Sequence, residues 1–294
     1  MPVRSRPLLS RDAWRAREEA HRSRADALTS AHRERARRGE THPVWDFLFT
    51  YYSYRPSRLR RWHPGAGVEL AEAAAEREGW RWYVHGETPG GLRPDSAAFA
   101  AEKPDLARLI ERMLHLPAAR PAQLGCFGLH EWAMVYRQSR HRHPVPLRLG
   151  QDGTDAVVEA HELRCTHFDA FRFFTPEAVP RNLTPLTREK QAANEQPGCL
   201  HAGMDVYKWA IKLGPLVPGE LLLDAFELAR DIRLLDMEAA PYDLSDWGVE
   251  PVRIETPEGK ALYARRQRVF AERGNALRAE ILRAWLGDDA PVAP

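Results

Sequence analysis

The stretch "EQPGCLHAGMDVYKWAIKLGP", residues 195–215, decides how the chain is read. After the Pro197–Gly198 break, a helix starting near Cys199 puts His201, Asp205, Lys208 and Lys212 on one stripe, at spacings of four, three and four. Met204, Trp209, Ile211 and Leu213 occupy its other faces. An apolar helix that carries so many titratable groups marks a candidate active site, because polar side chains are a poor choice for packing alone.

The next segment, "PGELLLDAFELARDIRLLDMEAAPYD", behaves alike: Asp224, Glu227 and Asp231 lie three and four apart, and Leu221, Leu228 and Leu235 form an apolar stripe. Two facing helices that project carboxylates and a histidine are how helical bundles build metal or acid–base sites. His201, Asp205, Glu227 and Asp231 are therefore candidate ligands for iron or manganese, with His130, Glu131 or His167 available to complete the shell. The structural alternative is a salt-bridged helix pair, with Lys208, Lys212, Arg230 and Arg233 neutralising the acids. Beyond this helix, "LDMEAAPYDLSDWG" is read as a loop that adds Asp236, Tyr242, Asp243 and Asp246.

Upstream, "ELRCTHFDAFRFFT" (162–175) alternates with a period of two and is read as a strand, with His167 and Asp169 on one face. The 23 residues from Pro176 to Gly198 hold four prolines and show no apolar period, so they form a loop that leads from this strand to the quoted helix. "PAQLGCFGLHEWAMVYRQSRHRHP" (121–144) reads as a helix with Cys126 and His130 four residues apart on one face. "WRWYVHG" reads as a strand, and "VPLRLG" as another.

The N-terminal segment opens with Ser10 as an N-cap and runs in helix formers to Gly39, its expected stop. Residues 1–40 hold eleven arginines against six acids, although the chain as a whole carries only +2. Four more arginines follow "YYSY" in "RPSRLRR". Tyr51, Tyr52 and Trp62 could stack bases and Arg58, Arg60 and Arg61 could hold phosphates, which makes DNA a candidate partner. Arginine outnumbers lysine 38 to 5 throughout, so coding bias also accounts for such patches.

The expected fold is mainly α: a single helical domain with a few short strands, made of a basic helical arm (1–40), a main domain (41–287) and a frayed tail (288–294). No apolar run approaches the length of a bilayer span, and no secretory leader is recognisable, so a cytoplasmic location without a membrane partner is expected. Three cysteines without paired spacing argue against a disulfide framework. The phosphate-binding glycine motifs, the His-Glu-x-x-His zinc motif and the Gly-x-Ser-x-Gly elbow are missing.

"HPVWDFLFTYYSYRPSRLRRWHPG", "RCTHFDAFRFFTPEA", "EQPGCLHAGMDVYKWA" and "LDMEAAPYDLSDWG" together resemble a group of actinobacterial proteins labelled 3-methyladenine DNA glycosylase, over about residues 12–285. The resemblance implies cleavage of the N-glycosidic bond of an alkylated base and a role in DNA repair. The hairpin of the helix-hairpin-helix glycosylases is not found, and no catalytic residue is carried over. Under this reading Asp205 or Asp169, with His167 nearby, would stabilise the cationic sugar. The competing readings are a metal-dependent oxidoreductase or hydrolase holding one or two iron or manganese ions, and a non-catalytic binding protein.

Overall fold

A computed structural model describes residues 7–138 and 145–287. It is 58% helical, with a sheet of only four short strands, so the chain is mainly α with a minor β component. The expected tail at 288–294, the first six residues of the arm and the 139–144 end of the 121–144 segment lie outside the described residues. Among the described residues no helix is long and apolar enough to cross a membrane.

The chain gathers into two units, Met1–His115 with Val206–Glu227 and Ala276–Pro294, and Leu116–Asp205 with Leu228–Asn275. In the first, the Arg11–Arg38 helix begins where Ser10 Oγ accepts from the Ala13 amide and ends at Gly39, whose φ of 70° only glycine adopts freely. Its buried residues, Trp14, His21, Ala25 and Thr29, recur at seven, four and four, so a helix that looks polar in sequence still buries one stripe. Strand β1 (Leu8–Leu9) pairs parallel with β2 (Glu69–Leu70). Antiparallel pairing of β2 with β4 (Leu92–Pro94), and of β4 with β3 (Tyr83–His85), completes the order β1-β2-β4-β3. Trp14, Trp62, Leu70, Ala73 and Leu92 form the core over this sheet. Arg77 is buried against the rings of Trp14, Trp62 and Trp80, with its charge met by Glu18 at 2.7 Å.

The second unit contains the Leu129–Ala133, Gly150–Glu159, Phe168–Phe171 and Gln191–Asn194 helices. Leu200–Leu213, Gly219–Glu238 and Pro257–Leu286 each have residues in both units. Two sequence readings change here. The 162–175 segment is not a strand: after His167, whose backbone is extended, Phe168–Phe171 forms a single helical turn, and a short alternating run fits a turn as well as a strand. The helix expected across 121–144 shrinks to Leu129–Ala133, preceded by Phe127 and Gly128 with φ of 48° and 75°, a left-handed pair that no continuous helix contains. "VPLRLG" contributes only an isolated bridge, Leu147 to Tyr242.

Candidate metal centre

Among the described residues, two groups of donors have ligand atoms within 4.8 Å of one another, and both lie in the second unit: His130, Glu131, His201 and Asp236, and His167, Glu195 and Asp205. All seven residues are buried.

Local structure delivers each of them. Gly128 turns the chain into the short helix that carries His130 and Glu131; its φ of 75° is left-handed and favours glycine, and a Cβ there would stand a tight 3.2 Å from the Ala239 Cβ. Trp132 then donates its indole N–H to the Ala239 carbonyl at 2.8 Å, which ties that helix to the residue just past the Gly219–Glu238 helix. His201 and Asp205 sit one turn apart on Leu200–Leu213. Gly203 lies between them, where a Cβ would come within 2.7 Å of Ile232 Cδ1, so this stretch of helix approaches the Asp236-bearing helix closely. Asn182 holds the segment before His167, accepting from the Cys165 amide at 2.8 Å and donating to the Cys165 carbonyl at 3.1 Å.

In the first group, His130 Nε2 lies 2.9 Å from Asp236 Oδ1, and Arg233 donates to Asp236 Oδ2 at 2.8 Å. The Arg233 guanidinium also reaches Glu131 Oε1 at 3.4 Å. Cys126 Sγ is 3.5 Å from His130 Nδ1, brought there by the left-handed turn at Phe127 and Gly128 rather than by a shared helix face. The His201 ring stands edge-on to His130, centroids 4.5 Å apart, and stacks on His167 at 5.4 Å. In the second group, Glu195 Oε1 faces His167 Nδ1 at 2.9 Å, Asp205 Oδ2 lies 3.8 Å from His167 Nε2, and Gln191 donates to Glu195 Oε1 at 2.7 Å.

The electrostatics of the first group separate its members. Burial disfavours charge on His130, but the charge of Asp236 and the hydrogen bond to it outweigh burial and raise its pKa. Burial likewise acts against ionised Asp236, and His130 and Arg233 together overcome it, so the carboxyl is held below the usual range. His201 is held well below its ordinary value by burial and by the neighbouring His130, and is thus a neutral imidazole. Burial, with repulsion from Asp236, pushes Glu131 up against the pull of Arg233 and His130. A neutral imidazole beside an ionised carboxylate is a donor pair that a divalent cation takes without further deprotonation.

His130 and His201 also line a cavity of about 10 Å³, together with Cys126, Cys165, Thr166 and Cys199, room for the centre of one water-sized species. All three cysteines of the chain reach it, and all are free thiols. Burial raises Cys165 and pushes Cys199 up to about 12, so neither is a nucleophile at neutral pH.

The structure sorts the sequence candidates. His201, His130 and Glu131 fall in the first group, and His167 and Asp205 in the second. Glu227 and Asp231 are in neither: Glu227 takes Arg24 at 2.6 Å, and Asp231 takes Arg273 at 3.0 Å and Arg230 at 3.2 Å. Their carboxylates are about one third exposed, and arginine, which cannot be deprotonated, occupies them. Asp169 sits on a helical turn rather than on a strand face shared with His167, and Arg188 holds it at 2.7 Å. Trp62, expected to stack a base, is fully buried and donates to Glu220 at 3.1 Å. Tyr51 stacks on Phe47, and Tyr52 meets Tyr207 edge-on. Arg60 is bound to Asp26 at 2.8 Å and Arg61 lies over the Trp80 ring, while Arg58 is exposed.

Two acids of the site, Asp236 and Glu195, are not among the ligand candidates that the sequence offers. Asp236 is expected just beyond a helix end, yet the helix continues through Glu238. A signal was present: Leu228, Ile232 and Asp236 follow at four-residue steps, so Asp236 continues the buried stripe rather than the polar one. Glu195 precedes Pro197 and looked like loop. No family model, curated protein or solved structure matches the chain.

Proposed function

We propose that the chain is a metal-dependent enzyme whose centre is built on His130, Glu131, His201 and Asp236. The observation that supports this reading is the convergence of four buried donors within 4.8 Å, drawn from three separate stretches of sequence. Two imidazoles with two carboxylates form a set that suits iron or manganese, in redox or hydrolytic chemistry. Burying Asp236 and Glu131 together is costly, and a divalent cation adds to the offset that Arg233 and His130 supply. The cavity bordered by His130 and His201 gives one water-sized ligand a place beside the ion.

Base excision, which the resemblance implies, has less to rest on. Trp62 is buried and Arg60 is occupied, which removes two of the contacts assigned to DNA. Asp205 remains a buried carboxylate able to stabilise a cation. Metal analysis of protein purified without chelators, set beside Asp236→Ala and His201→Ala, tests the metal reading. Near-stoichiometric iron or manganese, lost in both variants, supports it. Release of free base from alkylated DNA by metal-free protein would replace it with the glycosylase reading.

A further inference from the structure

We infer that His167 and Asp205 hold a second divalent cation beside the first, with Glu195 as the residue that positions His167, so that the centre is a metal pair. This rests on the metal reading of the first group.

The geometry of His167 carries the argument. Its two ring nitrogens face different carboxylates at different distances, 2.9 Å from Nδ1 to Glu195 and 3.8 Å from Nε2 to Asp205. The first is a close ion-pair distance, though the ring N–H is not aligned on the carboxylate, and the second is too long for a hydrogen bond. Metal–ligand bonds of about 2.0–2.2 Å let two donors on one ion stand up to about 4 Å apart, so 3.8 Å fits an ion between Nε2 and the Asp205 carboxylate. A ligating histidine commonly donates its other N–H to a carboxylate, which fixes the tautomer and the ring. Glu195 stands in that place, and is itself oriented by Gln191 at 2.7 Å.

Helix periodicity sets the two ions side by side. His201 serves the first group and Asp205 the second, one turn apart on the same helix, and the His201 ring lies between those of His130 and His167. The second site has fewer protein ligands and is completed by water, so it binds its ion more weakly. A neighbouring pair of ions gives one oxygen ligand a bridging position between them, the arrangement that two-metal enzymes use.

The test uses the full chain, stripped of metal and titrated with manganese(II) alone, read by bound metal per chain and by electron paramagnetic resonance. The expected result is two ions per chain at saturation and an exchange-coupled spectrum. His167→Ala and Asp205→Asn should each bind one ion with an uncoupled six-line spectrum, and Glu195→Gln should weaken the second ion about 10- to 100-fold. Circular dichroism confirms that the variants fold, and the wild-type spectrum does not depend on them. A wild-type protein that saturates at one uncoupled ion, or variants that keep two, would overturn the pair while leaving the first site standing. Binding of none would overturn the metal reading itself.

Discussion

The two units neutralise their buried acids with different partners. In the first, Arg35 and His32 hold Asp46, and the Thr88 hydroxyl with the Glu87 and Thr88 amides holds Glu69. In the second, imidazole joins arginine: His130 and Arg233 meet Asp236, and His167 meets Glu195 and Asp205, while Arg188 meets Asp169. The difference is chemical. A guanidinium keeps its proton at any pH a protein survives and has no lone pair to offer a metal. An imidazole can lose its proton to a binding metal ion and become a ligand beside the carboxylate it was paired with. Glu227 and Asp231, which arginine holds outside both groups of clustered donors, are therefore closed to a metal ion, whereas Asp236 beside His130 is open to one.

The largest effect expected from this contrast follows Asp236→Ala. In metal-free protein it leaves His130 and Arg233 buried without their shared acceptor and should cost about 3 to 5 kcal/mol, read by denaturant unfolding. A loss below about 1 kcal/mol would mean that water already reaches the site.

Asp46→Asn should cost about 2 kcal/mol at neutral pH without changing metal content. Burial raises the Asp46 pKa, but Arg35, His32 and the His42 amide together lower it below the ordinary carboxylate value. The stabilisation is thus fully present above that ordinary value and is lost as pH falls through the depressed one. The gap in unfolding midpoint between wild type and variant should therefore close in acid. A gap that instead widened on acidification would reverse the assignment of partners.

Much of the fold was legible, because it rests on local rules. The capped N-terminal helix, the strand at Tyr83–His85 and the long C-terminal helices follow from capping residues and apolar period. The site was legible where two donors share a helix, as His201 and Asp205 do. It was not legible where donors meet across the chain: nothing near Asp236 announces His130, 106 residues away. Glu227 and Asp231 misled because their spacing is right for a ligand pair and equally right for an arginine-paired stripe. Only burial separates those two outcomes, and burial depends on tertiary packing.

Gly128→Ala sharpens the comparison from the backbone side. A left-handed φ of 75° and contact with Ala239 should cost about 1 to 2 kcal/mol. The substitution should also weaken metal binding, since Gly128 delivers His130. Equal metal affinity in a destabilised variant would detach the turn from the site. The smallest effect belongs to Glu227→Ala, on the arginine side: a stability change within about 1 kcal/mol and unchanged metal content.

The most direct measurement is the metal content of the full chain purified under reducing conditions without chelators, compared with Asp236→Ala and Glu227→Ala prepared in parallel. The histidine-held site predicts near-stoichiometric iron or manganese in the wild type and in Glu227→Ala, with loss in Asp236→Ala. A wild-type protein that carries no metal and takes up none when manganese or iron is supplied would contradict it.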